Sequence, residues 1–477
     1  MPKLDFSTYD TANFLDEMLD DKGQIRSSYS LFRDRIEEMG WKKLNFLQKS
    51  TDKAQLSLGM TFNVYSDNQG TERILHLDII PRIITGNDWD RLEKGLKQRI
   101  KALNLFVADI YGEQKVLKDK IIPKELIFSS EPFLKECMGL KPPKDIWCHI
   151  SGSDLIKGDD DKFYVLEDNL RCPSGVSYML ENREILKRTF PEVFEKLRVR
   201  PVNNYAHNLR DMLESLSSRP DATIAVLSPG AYNSAYFEHA YLAQQIGAEL
   251  VQGSDLIVQN EFVYMITTKG LKRVDVIYRR VDDDFIDPLV FNKNSLLGTP
   301  GLFNAYKKGN VILVNAPGTG VADDKAVYAY IPRIIKYYLD EEPLLENVKT
   351  YICDEEPDRK YVLENIDNLV IKQTDASGGY GMLIGPKSTK AEQDEFKEKI
   401  KAKPRNYIAQ PMINLSRVPT LSEDEIQGRH VDLRPYILYG DDIKITPGAL
   451  TRVALKKGSI VVNSSQGGGS KDTWVLD

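Results

Sequence analysis

An alternation of apolar runs in the middle of the chain constrains the fold more than any other feature. A continuous apolar run at 222–227 is followed by a helical pattern over 236–246 and a short strand-like run at 248–251. A further apolar run closes the stretch at 310–315. Strand, helix and strand in this order are typical of a parallel α/β unit. We therefore predict an α/β fold with a Rossmann-like domain over residues 220–320.

Helical patterns dominate the first quarter of the chain. Residues 1–65 are polar, and weak patterns over 7–20 and 30–39 predict an N-terminal helical segment. A stronger pattern predicts a long helix that ends near Gly112, with Asn87 or Asp88 as its N-cap. Its apolar stripe consists of Trp89, Leu92, Leu96, Ile100, Leu103, Phe106 and Ile110.

The composition excludes several classes of protein. Hydrophobic residues make up 42% and charged residues 28% of the 477 positions, which is ordinary for a globular chain. A net charge of -6 leaves no broad basic surface for nucleic acid, and no apolar run is long enough to cross a membrane. The four cysteines lack the spacing of a zinc site or disulfide framework, and no signal-peptide pattern opens the sequence. We therefore predict a cytoplasmic protein without nucleic-acid or membrane partners, and we leave its oligomeric state open.

An acidic turn between two strand-like runs carries the most informative side chains. Residues 149–169 are typical of a β-hairpin whose turn includes the acids at 159–161, which do not fit a calcium loop. Glu167 and Asn169 share a face of one strand, and a turn centred in the acidic segment places Asp154 opposite Glu167. Oxygen ligands of this kind suit Mg²⁺. The pattern predicts a metal site at these three side chains, with a solvated hairpin as the alternative.

A lysine inside an apolar run precedes a glycine-rich turn in the last quarter of the chain. Lys372 is followed by Gly378, Gly379 and Gly381. A lysine in such a strand needs an anion or an exposed edge, and glycines let backbone N–H groups approach phosphate closely. The lysine precedes the glycines, so the segment is not a Walker A loop. The pattern indicates a phosphate site, with a plain hairpin as the alternative.

Four polar positions further along the chain stand in apolar or glycine-rich surroundings. Gln410 lies near the end of a strand-like run, and Asn463 opens a second glycine loop. Arg434 and Arg452 lie on apolar strands, where arginine pairs with carboxylate or phosphate. Each position has a structural alternative. Gln410 could belong to a plain core strand and Asn463 to a terminal loop, and the two arginines could form internal ion pairs.

Two residues directly after the hairpin have chemical potential of their own. Arg171 lies two positions past Asn169, so it shares that strand face if the strand continues. It could orient a substrate carboxylate or form a structural ion pair. Cys172 follows it, but none of the five histidines has a recognisable triad context, so we do not predict a cysteine nucleophile.

Taken together, these motifs resemble the ATP-grasp superfamily in a rotated order. In that superfamily an Asp-Lys pair opens the series and an Asp–(about twelve residues)–Glu-x-Asn block closes it. Here Asp324 and Lys325 open the series, whereas the closing block stands near the N-terminus. The chain is therefore similar to the circularly permuted ATP-grasp proteins related to glutathionylspermidine synthase. The runs that resemble the hallmarks of that family are 70–73, 166–171, 173–179 and 463–475.

The resemblance implies a domain organisation. We expect a circularly permuted ATP-grasp core with an inserted Rossmann-like pre-ATP-grasp domain. The permutation also predicts that the segment ending at Trp474 shares a domain with the segment beginning near Gly70, and that Lys372 lies near Glu167. The predicted parts are a helical segment at 1–65, the first part of the core with the metal hairpin at 66–215, a substrate domain at 220–320 and a nucleotide-binding part at 321–477.

The resemblance also implies ATP and Mg²⁺ as cofactors and an amide-forming ligation. A phosphorylated carboxylate would react with an amine, so we expect small-molecule or peptide acids and amines as substrates. Two alternatives stay open, a non-catalytic nucleotide- or peptide-binding scaffold and phosphoryl transfer to another acceptor. No region supplies the amidase domain that glutathionylspermidine synthases often carry, so their substrate pair is not inherited.

Each candidate residue has a role that the resemblance implies. The lysines and the glycine loop would hold phosphates, Gln410 would meet the adenine, and Arg434 and Arg452 would neutralise the transferring phosphoryl group. Arg171 would orient the substrate carboxylate. The full set is Lys325, Lys372, Gly378, Gly379, Gly381, Gln410 and Asn463 for the nucleotide, Asp154, Glu167 and Asn169 for the metal, and Arg171, Arg434 and Arg452 for catalysis.

Overall fold

A computed structural model describes residues 6, 9–12, 14–66, 69–374, 381–422, 425–459, 462 and 467–477. The predicted site residues Gly378, Gly379 and Asn463 lie outside these ranges. The α-helices of the described part are α1 (Ser27–Ser57), α2 (Gly86–Tyr111), α3 (Lys115–Lys118), α4 (Lys124–Phe128), α5 (Val176–Thr189), α6 (Pro191–Lys196), α7 (Tyr205–Ser215), α8 (Tyr236–Ile246), α9 (Leu302–Lys307), α10 (Lys325–Leu339), α11 (Glu356–Glu364) and α12 (Lys390–Ala402).

The strands of the same ranges are β1 (Thr61–Ser66), β2 (Gln69–Ile74), β3 (Leu77–Ile84), β4 (Ile150–Lys157), β5 (Phe163–Asn169), β6 (Ile224–Leu227), β7 (Glu249–Val251), β8 (Leu256–Gln259), β9 (Phe262–Thr267), β10 (Gly270–Arg273), β11 (Val276–Arg279), β12 (Ile312–Val314), β13 (Glu346–Asn347), β14 (Tyr351–Ile352), β15 (Leu369–Gln373), β16 (Leu383–Ile384), β17 (Tyr407–Pro411), β18 (Arg417–Ser422), β19 (Glu425–His430), β20 (Arg434–Tyr439), β21 (Ile443–Val453) and β22 (Gly469–Val475).

The largest sheet joins the two ends of the chain. Its seven strands follow the order β13-β5-β4-β20-β21-β22-β3, so the N-terminal strands β3, β4 and β5 share one sheet with the C-terminal strands β20, β21 and β22. The last strand lies parallel to β3, with Trp474 opposite Ile83. This pairing confirms that the segment ending at Trp474 and the early segment belong together, as the permutation predicts.

The C-terminal end of this sheet is held by buried charges. Lys471 is fully buried, and its ammonium group donates to Asp78 and to two backbone carbonyls at 2.8–2.9 Å. Asp472 accepts from Arg183 at 2.8 Å and from the Trp474 indole at 2.7 Å. Buried charges are stable only when they are paired in this way. The second glycine loop is therefore followed by a structural lysine that is not available to a phosphate.

The predicted Rossmann-like unit is present. Strands β12, β11, β6 and β7 form a parallel sheet in that order, and α8 connects β6 to β7. The sequence did not indicate the antiparallel sheet β10-β9-β8 that follows. The chain crosses from this unit back to the main sheet after β12, so the carboxyl ends of the parallel strands face the hairpin of β4 and β5. Asn315, directly after β12, accepts from the backbone of His149 and Ile150 at 2.9 Å.

A smaller lobe is built on the sheet β14-β17-β15-β16. Helices α11 and α12 cover it, and it has a separate hydrophobic cluster that includes Val362, Ile371 and Ile400. We call residues 348–411 the nucleotide lobe, because Lys372, which we predict to hold phosphate, belongs to it. The predicted domain boundaries themselves stay a prediction.

Two local predictions near the N-terminus are wrong. The described residues within 14–20 are not helical, because Asp16 accepts from the backbone of Met18 and Leu19 at 2.9 Å and so replaces helical bonding with a turn. The N-cap of α2 is Thr85, not Asn87 or Asp88.

Within the described ranges, none of the helices combines the length and apolarity that a bilayer crossing requires.

We expect Thr85→Ala to lower the free energy of unfolding by about 1 kcal/mol, because the Thr85 hydroxyl accepts from the Asp88 backbone at 3.2 Å and caps α2. Urea unfolding checks this, and Thr85→Ser, which keeps the hydroxyl, is the matched control. Equal unfolding midpoints for Thr85→Ala and the wild type would contradict the assignment of the cap.

Candidate active site

The acidic hairpin has the register that the sequence predicts. Asp154 on β4 lies opposite Glu167 on β5, and Gly152 lies opposite Asn169. A bulge follows between Asp154 and Leu155, so the register shifts by one residue toward the turn. The Asp154 and Glu167 side chains therefore project from the same face of the sheet.

Asp154 is saturated by two arginines from neighbouring strands. The Arg434 guanidinium contacts both carboxylate oxygens of Asp154, and Arg452 Nη2 donates to Asp154 Oδ2 at 2.6 Å. Arg452 also donates to Asp432 at 2.9–3.0 Å through Nε. Both arginines thus form the internal ion pairs that the sequence left open as an alternative to phosphate contacts.

The pKa values of the Asp154 and Glu167 carboxylates shift in opposite directions. Burial alone would raise the pKa of Asp154, but Arg434 and Arg452 overcome this effect and hold its pKa well below the usual range. Desolvation and the adjacent Asp154 raise the pKa of Glu167. Asp154 is therefore a stable anion, whereas Glu167 carries a charge that lacks full compensation.

Glu167 interacts electrostatically with two lysines from different elements. Lys325, at the start of α10, places Nζ 3.9 Å from Glu167 Oε2. Lys372 on β15 donates to Gln410 Oε1 at 2.7 Å, and Gln410 in turn donates to Thr350 at 2.9 Å. Burial lowers the pKa of Lys372 to about 8, while Glu167 acts to raise it and Lys325 to lower it. The charged groups of the hairpin, α10 and the nucleotide lobe thus act on one another.

A cavity of about 250 Å³ opens beside the hairpin. It lies where the hairpin, the start of α10, the loop after α4 and the carboxyl end of β11 meet. Burial raises the pKa of Asp323, on its wall, to about 7. Arg171 Nε lies 3.5 Å from Asp282 and 3.9 Å from Asp323. The cavity is lined by Glu131, Pro132, Leu134, Glu167, Asp168, Asn169, Arg171, Asp283, Asp284, Gly320, Asp323, Asp324, Lys325 and Thr374.

The hairpin residues fit Mg²⁺ unequally. Glu167 and Asn169 line the cavity, and Asn169 Nδ2 is a buried amide nitrogen without a hydrogen-bond partner. A rotated Asn169 amide would present oxygen there, and a cation would compensate Glu167. Asp154 fits only after an arginine releases one of its oxygens. The described residues hold no cluster of three or more His, Cys, Asp or Glu side chains suited to a metal, and the predicted set has two carboxylates and one amide.

Residues 81–454 match the model of the family "Circularly permuted ATP-grasp type 2". The chain belongs to this family. The match includes both the hairpin and the Arg434 and Arg452 strands, which the permutation brings into one sheet. The α/β fold with its rotated strand order is therefore the ATP-grasp fold of this family.

Relatives and a solved structure agree with the family. An uncharacterized protein of Synechocystis sp. is 56% identical over 99% of each chain. A Frankia alni protein provisionally named glutamate–cysteine ligase 2-3 is 38% identical over 96% of this chain and 53% of its own length. A glutathione synthetase-like effector of Globodera pallida, solved in its apo form, has a TM-score of 0.59 at 12% identity and covers 91% of this chain and 98% of its own. That likeness concerns the fold alone.

The structure of this ATP-grasp protein separates the predicted site residues into three groups. Glu167, Asn169, Arg171 and Lys325 line the cavity. A second group forms a charged cluster on the seven-stranded sheet but does not line the cavity: Asp154, Arg434 and Arg452. The third group lies in the nucleotide lobe and consists of Lys372 and Gln410. Gly381, the described glycine of the predicted loop, has φ of 66° and so a backbone conformation that favours glycine. Cys172 is a free thiol whose pKa burial raises.

Sequence reasoning missed three charged residues of this region. Asp432 is the second partner of Arg452, and its position two residues before Arg434 was a usable signal of a shared strand face. Asp323 precedes the predicted Asp-Lys pair, so its position near the site could have been inferred. Arg405 lies in the turn before β17 and ion-pairs with Asp324 at 2.6 Å. No local pattern distinguishes it from a solvated arginine.

Proposed function

We propose that this ATP-grasp protein is an ATP-dependent carboxylate–amine ligase that forms an amide or peptide-like bond through an acyl phosphate. The observation that carries the proposal is the approach of Lys325 to within 3.9 Å of Glu167 at the cavity, with Lys372 acted on by both charges. Phosphoryl transfer needs two kinds of group close together in space: cations that bind phosphate and a carboxylate that binds the metal. The name of the Frankia relative supports an amide-forming ligase, although this chain spans about half of that protein.

The chemistry requires two steps. A carboxylate oxygen of the acid attacks the γ-phosphorus, the bond to the β,γ-bridging oxygen breaks, and ADP leaves. The amine nitrogen then attacks the acyl carbon, the bond to the phosphate oxygen breaks, and inorganic phosphate leaves with loss of one proton from nitrogen. Mg²⁺ on Glu167 and Asn169 would neutralise charge on the transferring phosphates. The protein contributes positioning and charge.

We assign the remaining roles by position. Lys325 and Lys372 hold the triphosphate, and Gln410 meets the adenine. Arg171 lies on the cavity wall and orients the acid, while Asp323, with a pKa of about 7, accepts the proton that the amine loses. Arg434 and Arg452, which Asp154 positions, neutralise charge on the transferring phosphoryl group. The cytoplasmic location and the lack of nucleic-acid and membrane partners stay predictions.

Phosphate release tests the proposal. The wild-type protein is incubated with Mg-ATP and pools of amino acids, γ-glutamyl peptides and polyamines, and phosphate is measured. We expect release that requires one acid and one amine together. Tight binding of Mg-ATP without release for any pool would favour the non-catalytic scaffold. ADP is measured in the same reactions, and ADP formed without a matching release of phosphate would favour the phosphoryl-transfer alternative, because the phosphoryl group then stays on the acceptor.

We expect the affinity for Mg-ATP to fall as the pH rises above about 8. Burial lowers the pKa of Lys372 to about 8, and the ammonium form that attracts phosphate is lost above that pH. Lys372→Arg keeps its charge throughout, so the affinity of this variant should change little between about pH 7 and 9. Calorimetric titration over that range checks both. The same pH dependence in both proteins would contradict the role of Lys372.

A further inference from the structure

Apolar packing and hydrogen bonds join the described residues of the nucleotide lobe to the rest of the protein, and the bonds of Val348 to Val165 and of Tyr330 to Glu355 are among them. The hydrophobic cluster of the lobe is separate from the main core, although Ile352 and Ile408 pack into the main core. Those two apolar contacts attach the lobe but do not fix its angle, because dispersion and the hydrophobic effect are not directional. Directional hydrogen bonds across the boundary are therefore the groups that set how the lobe sits over the cavity.

Among the described residues, one guanidinium supplies more of those bonds than any other side chain. Arg405 belongs to the lobe and donates to three separate segments. Its Nη2 donates to Asp324 Oδ2 at 2.6 Å and to the Leu126 carbonyl at 2.9 Å. Its Nε donates to Ser129 Oγ at 2.9 Å, and its Nη1 donates to Thr374 Oγ1 at 3.0 Å within the lobe.

Each partner of Arg405 is next to a site element. Asp324 caps α10 by accepting from Ala326 at 2.8 Å, and it directly precedes Lys325. Thr374 directly follows β15, two residues after Lys372, and its carbonyl accepts from the Lys325 backbone N–H at 3.2 Å. Ser130 also donates to Asp324 at 2.7 Å, and the next residue, Glu131, lines the cavity. The guanidinium therefore joins the bases of both lysines and one wall of the cavity.

We propose that Arg405 is a positioning residue that fixes the nucleotide lobe on the core so that Lys325 and Lys372 reach the same triphosphate. The proposal rests on the nucleotide-binding part of the proposed function. It requires an arginine, because only a planar guanidinium can donate in several fixed directions at once. The ammonium group of a lysine would keep the charge opposite Asp324 but lose most of the remaining bonds.

Direct binding and hydrogen exchange test the proposal on the full chain. Arg405→Gln should weaken Mg-ATP binding by about 10-fold or more, since a charge-assisted bond and the alignment of two lysines are lost. The affinity of Arg405→Lys for Mg-ATP should lie between the affinities of Arg405→Gln and the wild type. Without nucleotide, Arg405→Gln should speed exchange of the Lys325 amide, whereas the exchange of Ile371 in the core of the lobe should not change.

Arg359→Gln is the matched control. Arg359 also belongs to the lobe, and it donates to the Cys353 and Asp354 carbonyls at 3.2 and 3.3 Å without crossing the boundary. The Arg359→Gln variant should bind Mg-ATP with the affinity of the wild type. Wild-type affinity and wild-type Lys325 exchange in Arg405→Gln would overturn the proposal, as would an equal loss of affinity in Arg359→Gln.

The design separates this proposal from the proposed function. A wild-type protein that binds Mg-ATP but ligates no acid and amine would end the ligase proposal and leave the binding test of Arg405 intact. If Arg405→Gln bound Mg-ATP like the wild type while the wild type still released phosphate, the positioning proposal would fall and the ligase proposal would stand. If the wild type did not bind Mg-ATP, both proposals would fall. Faster global unfolding of Arg405→Gln, seen as faster exchange throughout the lobe, would also overturn positioning in favour of a general stabilising role.

Discussion

Glu167→Gln is expected to lower Mg-ATP turnover by about 10²- to 10³-fold, because it removes the cavity-lining carboxylate of the proposed metal site. Folding should not suffer. Desolvation and Asp154 raise the pKa of Glu167, so its ionised form costs free energy in the folded state at neutral pH. A neutral amide removes that cost, and we expect a melting temperature equal to or above that of the wild type.

Glu346→Gln is the control for this variant. Glu346 is an exposed glutamate on the edge strand β13 of the same sheet, next to β5. It should keep wild-type turnover and stability. The metal assignment would be wrong if Glu167→Gln kept wild-type turnover. A large loss of stability would instead indicate that Glu167 holds the hairpin together.

Asp154→Asn is expected to lower the free energy of unfolding by about 3 kcal/mol at neutral pH. The Asp154 side chain is buried and pairs with Arg434 and Arg452, so removing its charge leaves two partly buried guanidinium groups with one carboxylate, Asp432. The same change should abolish turnover, because both arginines lose the anion that positions them. Urea unfolding and phosphate release measure the two effects.

The loss of stability should depend on pH in a defined direction. The two arginines hold the pKa of Asp154 below its unfolded value, so its contribution is fully present above about pH 4 and is lost as the pH falls toward the folded pKa. The stability gap between Asp154→Asn and the wild type should therefore shrink below about pH 4. Asp159→Asn, at an exposed acid in the turn of the hairpin, is the control and should match the wild type. A gap that does not change with pH would contradict the ion pairs.

Much of the fold follows from local sequence patterns. The parallel strands β6 and β12 lie in short apolar runs of the sequence, and the burial of these strands within the domain explains that apolar character. The order of the motifs was enough to predict that the segment ending at Trp474 shares a domain with the early segment, and the structure shows that the two also share a sheet. The region around Asp16 was predicted wrongly, because one carboxylate that bonds nearby backbone groups outweighed a weak helical pattern.

The candidate site was predictable in its residues but not in its partners. Strand periodicity and a turn centre were enough to place Asp154 opposite Glu167. The choice of Arg434 and Arg452 between phosphate and carboxylate depends on strands that meet only in the folded sheet, so no local pattern could decide it. The same reason hides Arg405, whose partners Asp324 and Leu126 are distant in sequence.

Transfer of oxygen-18 tests the ligase proposal most directly. The acid identified by phosphate release is labelled in its carboxylate and incubated with the wild-type protein, Mg-ATP and the amine. An acyl phosphate requires the carboxylate oxygen that attacks the γ-phosphorus to leave with the phosphate. We predict one labelled oxygen in each phosphate released and one in the amide product. Unlabelled phosphate, with both labelled oxygens still in the acid, would contradict the acyl phosphate and with it the proposed function.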